Sequence, residues 1–464
     1  MYCGYVTTLK NVRPHPNADR MKLADCFGNT VCVGLDAAEG EIGVYFPVDG
    51  QLSVEFCQVH DLMRRKDENG NPAGGYLDPE KRNIKAVKLR GEKSDGLFMP
   101  ISCLAYTDVN LDDIDIGDTI TTVNGHEICQ KYIPKSNSKT HQNGGNRTRK
   151  RKDPIAPLFQ EHADTEQLAY NLSAFKPGDE IEITLKMHGT SQRTAHLPVL
   201  TDYKRTFWDK IFKRQGTPIY AWGGVSGTRR VVLDSYDGGF YGSNEFREQH
   251  SKIFEGKLWK GETVYYEVVG FTHTGAPIMA SADNKKIADK DFMKHYGKET
   301  VFSYGCSSNG YKIMFGEDGE GVFSIPVKTP QSDIYVYRMT MTNEDGNVVE
   351  YTPDFMRYRC EQMGVKSVPV FAKEIIPHEI QNENGEWLGV DAGEWVKQLA
   401  ERFYDGPDPI GKTHVREGVV VRIVNRPKFT AYKHKNFYFK VLEGIIKDEA
   451  TAPDMEEAQN EMHL

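Results

Sequence analysis

Short apolar runs separated by turn residues fill the first 128 positions of the chain. The runs NTVCVGL, IGVYFPV and DTITTVN are rich in β-branched residues and are bounded by turn-forming residues. Such runs predict short strands joined by tight turns. No long stretch of this region has apolar residues at helical spacing, so we expect residues 1–128 to form a small all-β barrel.

A mixed pattern of strands and helices follows over residues 154–447. The segments IEITLKM, TVYYEVVGF, DIYVYRMTM, EGVVVRIV and NFYFKVLE have the composition of strands. Three segments have helical spacing, SNEFREQHSKIFEGK, TPDFMRYRCEQMG and GEWVKQLAERFYDG. The second of these has a Thr352 cap and Pro353 at its first helical position, and ends at Gly364. The pattern predicts an α+β domain.

Two charged segments lie outside these regions. Residues 129–153 include KYIPKSNSKTHQNGGNRTRKRK, in which every charge is positive, and predict a basic flexible linker. The linker could be a solvated tether, an arm that tracks phosphates, or a nuclear-targeting signal at RTRKRK. Residues 448–464 are acidic, and we expect them to be a loosely ordered tail.

Composition and charge narrow the class of protein. A chain of 464 residues is long enough for two or three domains, and its net charge of −8 excludes a uniformly basic nucleic-acid coat protein. No two of the eight cysteines have the C-x-x-C spacing, which argues against a structural zinc site or a disulfide framework. Neither a signal peptide nor an apolar run of about 20 residues is evident. We expect a soluble cytoplasmic protein, in the host cytoplasm if its source is viral, without a membrane partner.

Candidate chemistry begins at TLKMHGTSQRTAH. Lys186 ends an alternating strand, and Gly189, Thr190 and Ser191 follow it closely. Glycine allows close approach of the backbone to a ligand, and the hydroxyls can donate to phosphate or ribose. A lysine that attacks phosphorus must first lose its proton, which partial desolvation or nearby cations favour. Alone, however, K-x-x-G also matches an ordinary surface lysine before a turn.

Charged residues within apolar strands strengthen the functional interpretation. Glu267 interrupts VYYEVVGF, Glu417 precedes GVVV, and Lys440 interrupts NFYFKVLEG. Buried strands carry such charges when these are paired or bind a ligand, so each could also be a structural ion pair. Tyr335 and Tyr337 share a predicted strand face, which suits stacking on a base but also fits ordinary sheet aromatics.

The order of these motifs resembles that of the covalent nucleotidyltransferase superfamily, which includes ATP-dependent polynucleotide ligases and mRNA-capping guanylyltransferases. The spellings KMHGTS and EGVVVR, with the lead-in PLFQEHADTEQL, look most like ATP-dependent RNA ligases. The nearest resemblance is to the bacterial and phage clade that carries an N-terminal OB-fold module. It implies an adenylyltransferase (ATP-grasp-like ligase) domain of antiparallel sheets flanked by helices over residues 154–447.

The resemblance implies a role for each motif. Lys186 would attack the α-phosphate of ATP to form a lysyl-adenylate, and Lys440 would neutralise charge at that phosphate. Arg229 or Arg230 would contact the 5′-phosphate of an RNA end. The remaining ATP-binding residues would be His188, Gly189, Glu267 at a ribose hydroxyl, Tyr335 or Tyr337 on adenine, and Glu417, which would also hold a divalent metal. Mg²⁺ is the expected ion, with Mn²⁺ as an alternative.

Three features depart from the family pattern. His188 stands where most of the superfamily has aspartate or asparagine. The last motif usually carries two lysines one residue apart, but Tyr438 occupies the first of these places before Lys440, which leaves Lys433 or Lys435 as substitutes. No further domain follows the last motif, in contrast to DNA ligases and capping enzymes.

The N-terminal region carries a resemblance of its own. VRPHPNADRMKLADC and VKLRGEKSDGLFMPIS resemble the OB-fold tRNA-binding domains of some aminoacyl-tRNA synthetases. This implies a nucleic-acid-binding module, although a purely structural OB module is the alternative. Its basic loop residues are Arg13, Arg20, Lys88, Arg90 and Lys93.

The expected function is ATP-dependent joining of RNA 3′-OH and 5′-phosphate ends through lysyl-AMP and RNA-adenylate intermediates, as in the repair of nicked or broken RNA. Two alternatives remain open. One is a related nucleotidyltransferase with another acceptor, either a DNA-end ligase or a capping guanylyltransferase. The other is a non-catalytic RNA-binding protein with a decayed ligase domain. The segment DYKRTFWDKIFKRQGTPIYAW could be a loop facing nucleic acid or an ordinary amphipathic helix with a turn.

Overall fold

The computed structural model describes most of the chain outside the predicted linker and tail. The described residues are 2–70, 72–133, 153–163, 165–212, 214–233, 236, 245–280, 282–287, 289–308, 310–315, 322–327 and 329–448. Of the predicted linker, residues 129–153, the part from 134 to 152 lies outside this set, and of the predicted tail, residues 448–464, the part from 449 onward does. The start of the predicted linker is not a flexible segment, because Cys129–Lys131 form a strand. In the described residues, no helix is long and apolar enough to span a bilayer.

Two compact units make up the chain. The first contains the described residues of 1–135, 284–292 and 437–450, and the second contains those of 136–283 and 293–436. The helices of both units are α1 (Val54–Val59), α2 (Phe207–Ile211), α3 (Glu245–Lys252), α4 (Lys290–Tyr296), α5 (Pro353–Met363), α6 (Ala392–Tyr404) and α7 (Phe437–Asp448). Short 3₁₀ helices span Ile101–Thr107, Leu111–Asp113, Leu168–Tyr170, Leu172–Ala174 and Asn284–Ile287.

The first unit consists mainly of short strands. These are β1 (Gly4–Thr8), β2 (Lys10–Pro14), β3 (Lys22–Cys26), β4 (Asn29–Val33), β5 (Ile42–Phe46), β6 (Gly50–Leu52), β7 (Arg65–Lys66), β8 (Pro72–Gly74), β9 (Ala86–Leu89), β10 (Glu92–Asp95), β11 (Leu97–Pro100), β12 (Thr119–Ile120), β13 (Thr122–Val123), β14 (His126–Glu127) and β15 (Cys129–Lys131). The largest sheet has the order β11-β5-β1-β12, beside a β2-β3-β4 sheet and four two-stranded pairs.

The predicted all-β barrel is not what the first unit forms. Over the described residues none of its sheets closes on itself, and the unit includes α1 and α7. Helix α1 forms because Ser53 caps it by accepting from the backbone N–H of Phe56, whose buried side chain joins the core. A six-residue helix of this kind leaves no long periodic pattern in the sequence.

The second unit contains two larger sheets. Its strands are β16 (Glu166–Gln167), β17 (Glu180–Leu185), β18 (Thr190–Lys204), β19 (Thr217–Gly227), β20 (Val232–Leu233), β21 (Glu262–Gly270), β22 (Ala282–Asp283), β23 (Glu299–Thr300), β24 (Gly310–Phe315), β25 (Val322–Val327), β26 (Ser332–Thr342), β27 (Val348–Glu350), β28 (Lys366–Ser367), β29 (Val370–Ile375), β30 (Glu379–Gln381), β31 (Trp387–Gly389), β32 (Gly418–Ile423) and β33 (Thr430–Lys435).

The two sheets of this unit confirm the predicted mixed α+β class. The first has the order β16-β33-β32-β17-β29, and the second has the order β20-β19-β18-β21-β26-β27 with β28 beside β26. Most pairs are antiparallel, and the exceptions in these sheets are β16 with β33 and β26 with β28. Residues 186–189 connect β17 to β18, so the chain passes from one sheet to the other at the predicted lysine motif.

Each sheet buries one face against helices. Alternating residues of β17 and β32, including Ile183 and Val421, pack with α6 residues such as Val396. Residues of β21 and β26 pack in the same way with α3 and α5. Helix α5 has the predicted cap, because Thr352 accepts from the backbone N–H of Phe355. The opposite sheet faces therefore remain available for polar side chains.

The buried imidazole of His250 on α3 predicts a loss of stability in mild acid. Burial lowers the pKa of His250 to about 4, with the charge of Asp333 opposing and that of Arg247 reinforcing the shift. An unfolded histidine binds a proton near its ordinary pKa of 6.5, but the folded one does so only near 4. This contribution to stability is thus complete above pH 6.5 and is lost as the pH falls to about 4.

The free energy of unfolding of the unmodified protein should fall as the pH drops from 6.5 to about 4. We expect His250→Gln to reduce that fall by up to about 3 kcal/mol. Denaturant unfolding of both proteins across this pH range measures the effect. An unchanged slope in the variant would contradict it.

Candidate active site

Lys186 is held at the end of β17 by its backbone. Its N–H donates to the carbonyl of Gly418 on β32 at 3.0 Å, and the N–H of Leu185 donates to the carbonyl of Pro369 at 2.9 Å. These two hydrogen bonds hold the end of β17, including Lys186, to the neighbouring chain segments on both sides. Its side chain remains 22% exposed, so the ammonium group is accessible at the edge of the sheet.

Two glycines allow the chain segments to approach each other here. A Cβ at Gly189 would lie 2.4 Å from the carbonyl oxygen of Val268 and 2.8 Å from Cγ of Glu267. Gly418 has a φ of +143°, and a Cβ there would lie 2.1 Å from the carbonyl oxygen of His434. Glycine at these positions lets the lysine turn lie directly against β21, and lets β32 lie against β33.

Glu417 is the centre of a charged cluster. Its carboxylate is only 3% exposed, and Oε1 lies 2.7 Å from Nζ of Lys186 and 3.6 Å from Nζ of Lys435. Its Oε2 lies 3.5 Å from Nδ1 of His188. The backbone also contributes, because the N–H of Asn436 donates to the carbonyl of Glu417 at 2.8 Å. The cluster joins the ends of β17, β32 and β33.

The surrounding cations keep Glu417 ionised. Burial alone would raise its pKa, but the charge of Lys186, the hydrogen-bonding side chain of His188 and the charge of Lys435 outweigh burial and hold the pKa at about 2. Oε2 nevertheless has no hydrogen bond of good geometry among the residues that the structure describes, since its nearest donor, Nδ1 of His188, lies 3.5 Å away. A buried carboxylate oxygen in this state can still accept a donor or coordinate a cation.

The second sheet contributes a row of polar and aromatic side chains. Ser191 on β18 pairs with Glu267 on β21, which in turn pairs with Tyr335 on β26. The hydroxyl of Ser191 donates to Oε2 of Glu267 at 3.2 Å. Burial raises the pKa of Tyr335, so its phenol is neutral, and Nζ of Lys366 lies 5.5 Å from the ring centroid. The three side chains form a nearly buried row beside Gly189.

The other predicted aromatic, Tyr337, has different neighbours. Its ring lies 5.1 Å from that of His162, and His162 also contacts Tyr265 at 5.4 Å. Arg229 lies in the same area, because its carbonyl accepts from the N–H of His162 at 3.1 Å. Burial lowers the pKa of His162, and the charges of Arg338, Arg229 and Arg193 lower it further. Arg230 is exposed beside this region.

Lys440 does not lie on a strand as predicted. NFYFKVLE forms part of α7, because Phe439 and Leu442 are buried at helical spacing. Alternating apolar residues in so short a run do not separate strand from helix. Nζ of Lys440 pairs with Oδ2 of Asp95 at 2.5 Å within the first unit. Besides Lys186, the lysine that lies near the Glu417 carboxylate is Lys435, at 3.6 Å.

An aromatic cluster missed by the sequence analysis supports His188. The backbone N–H of His188 donates to the Tyr304 hydroxyl at 2.6 Å, and the His188 ring meets Phe302 edge to face at 4.6 Å. His414 contacts both aromatic rings, at 5.2 Å for Phe302 and 4.7 Å for Tyr304. These residues come from separate stretches, and no local pattern in either stretch marks them.

Arg247 is a second residue that the sequence analysis missed. It is fully buried on α3, where Nη1 donates to the carbonyl of Ser191 at 3.0 Å and Nη2 donates to the hydroxyl of Thr190 at 2.6 Å. The side chain of Gln192 returns a hydrogen bond to the carbonyl of Arg247 at 2.9 Å. Arg247 thus fixes the start of β18 just after the lysine turn. Because the contact joins residues 57 positions apart, no local pattern around Arg247 predicts it.

The residues present fit a divalent cation that is only partly bound by protein. No group of three or more histidine, cysteine or acidic side chains that could hold a metal occurs in the described part of the chain. Mg²⁺, however, usually keeps several waters and uses one or two carboxylates together with substrate phosphates. Oε2 of Glu417, with no hydrogen bond of good geometry among the described residues, is a suitable oxygen ligand for such an ion.

The close contact of Gly189 with β21 gives a prediction. We expect Gly189→Ala to lower the rate of the nucleotidyl transfer that the sequence predicts at Lys186 by about a hundredfold, because the new methyl must displace the turn from a backbone carbonyl. Gly224→Ala is the matched control, since a Cβ at that position on β19 meets nothing within 4 Å. Transfer of label from α-labelled nucleotide to the chain measures both variants. Equal rates for the two would contradict the steric explanation.

Comparison with known proteins bears on the fold. No family model matches the chain, and no curated protein matches its sequence. Solved structures of Naegleria gruberi RNA ligase are similar in fold. A lysine-to-alanine mutant with ATP and Mn has a TM-score of 0.52 and 14% identity, covering 94% of this chain and 98% of that one.

Two further structures of the same protein agree. A lysine-to-methionine mutant with AMP and Mn has a TM-score of 0.53 at 14% identity, and a complex with PPi has a TM-score of 0.53 at 15% identity. Each covers 94% of this chain and 97% of the other chain. The chain therefore shares the fold of these RNA ligase structures over nearly its whole length.

Proposed function

We propose that the chain is an ATP-dependent RNA ligase that joins 3′-OH and 5′-phosphate RNA ends. The observation that carries the proposal is the cluster in which the Glu417 carboxylate contacts Lys186 at 2.7 Å and Lys435 at 3.6 Å, beside the buried Glu267. An accessible lysine with a second cation nearby is suited to attack a phosphate ester. The shared fold with RNA ligase structures that hold ATP, AMP or PPi supports the same reaction.

The reaction has three nucleotidyl-transfer steps, each an attack on phosphorus. The ammonium of Lys186 first loses a proton to solvent, and its neutral Nζ attacks the α-phosphorus of ATP. The N–P bond forms, the nitrogen loses a second proton to solvent, and the bond from the α-phosphorus to the bridging oxygen breaks to release pyrophosphate. An oxygen of the RNA 5′-phosphate then attacks the same phosphorus, and the N–P bond breaks. Finally the 3′-OH attacks the RNA 5′-phosphorus, loses its proton, and displaces AMP.

We assign the cationic role of the last motif to β33. Lys433 and Lys435 are separated by one residue, which is the spacing usual in the family, and Lys435 contacts Glu417. This assignment replaces the role inferred for Lys440, whose ammonium pairs with Asp95. Lys433 and Lys435 would neutralise the charge that develops on the α-phosphate, as fixed cations do in phosphoryl transfer.

The remaining roles follow from the second sheet. Glu267, oriented by Ser191 at 3.2 Å, would accept from a ribose hydroxyl, and Tyr335 in the same row would pack on adenine. Tyr337 beside His162 is the weaker candidate for adenine. Glu417 would hold Mg²⁺ or Mn²⁺, which when bound would supply additional positive charge at the phosphates.

The RNA would contact two further regions. Arg229 or Arg230, at the end of β19, would bind the 5′-phosphate, since planar guanidinium groups suit phosphate oxygens. The first unit would bind nucleic acid near the break, which is the role that the resemblance to the bacterial and phage ligases implies for an N-terminal module.

Joining assays on paired substrates test the proposal. The protein with Mg²⁺ is given RNA ends that carry 3′-OH and 5′-phosphate, in nicked duplexes and as single strands, with ATP or GTP. We expect joined RNA with ATP and none with GTP. Parallel DNA substrates should join much more slowly. Joining of DNA alone, or transfer of GMP to a diphosphate RNA end, would contradict the assignment.

A further inference from the structure

A long hairpin of the second sheet extends beyond the hydrophobic core. Strands β18 and β19 are joined by residues 205–216, which contain α2, and from Leu200 to Tyr220 none of the described residues is buried. Strand β18 begins at the lysine turn and runs for 15 residues. At about 3.3 Å per residue, its far end lies up to about 45 Å along the strand from Thr190.

Large apolar side chains are displayed at this far end. Phe207, Trp208 and Phe212 are 71%, 62% and 60% exposed, and Ile211 is also exposed. We call these four residues the aromatic tip. The interpretation of this segment as an ordinary amphipathic helix requires a buried apolar face, which the structure does not show. Clustered exposed rings of this kind mark interaction sites.

Local interactions hold the aromatic tip in a defined form. Thr206 and Asp209 form a capping box, in which the Thr206 hydroxyl accepts from the N–H of Asp209 at 3.2 Å and the Asp209 carboxylate accepts from the N–H of Thr206 at 2.8 Å. Trp208 lies on α2 and Phe212 follows its last residue, and their rings lie 6.0 Å apart and nearly parallel, at 19°. Flat apolar faces are therefore presented to solvent in a fixed arrangement.

The charge around the aromatic tip is opposite to that of the whole chain. Residues 202–214 carry five basic and two acidic side chains, whereas the chain has a net charge of −8. Lys204, Arg205, Lys210 and Arg214 are all exposed. The guanidinium of Arg214 lies over the ring of Phe212 at 5.4 Å, so positive charge and aromatic surface are adjacent. Of the two acidic residues, Asp209 is occupied by the capping box.

We propose that the aromatic tip is a docking surface for single-stranded RNA. Exposed rings on which bases stack, beside cations that contact phosphates, are the chemistry by which single strands are bound without sequence preference. The proposal rests on the proposed function for the identity of the nucleic acid. RNA whose reacting end lies at Lys186 can contact the tip only if it extends along the hairpin, so the tip favours long substrates over short ones.

A membrane surface is the less suitable partner. A helix that lies on a bilayer buries a continuous apolar face and presents a strongly charged face on its other side. The helix α2 has 5 residues, and its exposed apolar surface is dominated by flat rings. The charge complementarity with phosphates remains, so anionic vesicles are included in the test.

Equilibrium binding of single-stranded RNA without ATP tests the inference. We expect Trp208→Ala to weaken binding by about tenfold, the typical effect of removing one stacking ring, and Trp208→Phe to retain most of the affinity. Trp387→Ala is the matched control, because Trp387 is 64% exposed on a hairpin that also carries Glu379, Glu383 and Glu386. It should bind RNA as the unmodified protein does.

The cations are tested by salt dependence. Replacing Arg205 and Arg214 together with glutamine should reduce the slope of log Kd against log salt by about one for each lost phosphate contact. Trp208→Ala should leave that slope unchanged. Equal losses in the Trp208→Ala and Trp208→Phe variants would contradict stacking.

Two further outcomes would overturn the inference. One is unchanged RNA affinity in Trp208→Ala; the other is tip-dependent binding to phosphatidylserine–phosphatidylcholine vesicles without tip-dependent binding to RNA. Since no ATP is used, RNA binding at the tip by a chain that forms no adenylate would contradict only the ligase proposal.

Discussion

Replacing Glu417 with glutamine is expected to slow the proposed reaction of Lys186 with ATP by about a hundredfold or more. The substitution keeps the size of the side chain but removes the charge that Lys186 and Lys435 share at 2.7 and 3.6 Å. Without it, two ammonium groups at the same site repel each other, and Lys186 loses the partner that fixes its direction. The rate of label transfer from α-labelled ATP, at saturating nucleotide, measures the effect.

The neighbouring carboxylate of Glu182 provides a matched control. It is also buried on the same sheet, but its partner is Arg357, at 3.0 and 2.7 Å, outside the cluster. Glu182→Gln should reduce stability, because it breaks a buried ion pair, without a comparable loss in the rate. Equal losses of rate in both variants would mean that the Glu417 effect reflects folding alone.

Replacing Lys435 with alanine is expected to reduce the same rate by about a hundredfold, whereas Lys440→Ala should leave it within a few-fold of the unmodified protein. Lys435 lies at the Glu417 carboxylate, while Lys440 pairs with the buried Asp95 in the first unit. Loss of the Lys440 ammonium leaves that carboxylate without its ion-pair partner, which should cost about 3 kcal/mol of stability.

Comparing rate and unfolding free energy for each lysine variant separates the two roles. The expected pattern is a slow but stable Lys435→Ala protein and a less stable but active Lys440→Ala protein. The reverse pattern would assign the cationic role of the last motif to Lys440 on α7 and would contradict its assignment to β33.

Residues that end strands could be predicted from the sequence. Lys186 and Glu417 stand next to strongly patterned strands, and Gly189 follows at a turn, so their placement depends on local structure that the pattern specifies. Glu267 could be identified because a charge in an otherwise apolar strand requires a partner. The structure places all four in one region, with Glu267 and Gly189 in close contact.

Long-range contacts could not be predicted in the same way. Arg247 reaches Thr190 from α3, and Tyr304 reaches His188 from a distant loop, so neither contact has a local signature. The error at Lys440 has a different cause. Aromatic and β-branched residues in NFYFKVLE fit a strand locally, and packing of Phe439 and Leu442 in the first unit decides in favour of a helix.

The fold shows the same difference between features that local sequence determines, such as a capped helix, and features that distant contacts determine, such as the pairing of strands. Helix α5 could be predicted because Thr352, Pro353 and Gly364 each specify a helix end chemically. The pattern in the first 128 residues specified strands and turns but not their pairing. Sheet order depends on contacts distant in sequence, which is why the predicted barrel differs from the open sheets observed.

Covalent capture of AMP by Lys186 is the most direct test of the proposed reaction. The protein is incubated with Mg²⁺ and ATP labelled at the α-phosphate, denatured, and digested to locate the label. We predict label on the peptide that contains Lys186, its release by added pyrophosphate, and none in Lys186→Ala. Label that persists in Lys186→Ala, or no label with either ATP or GTP, would contradict the proposal that this lysine is the nucleophile.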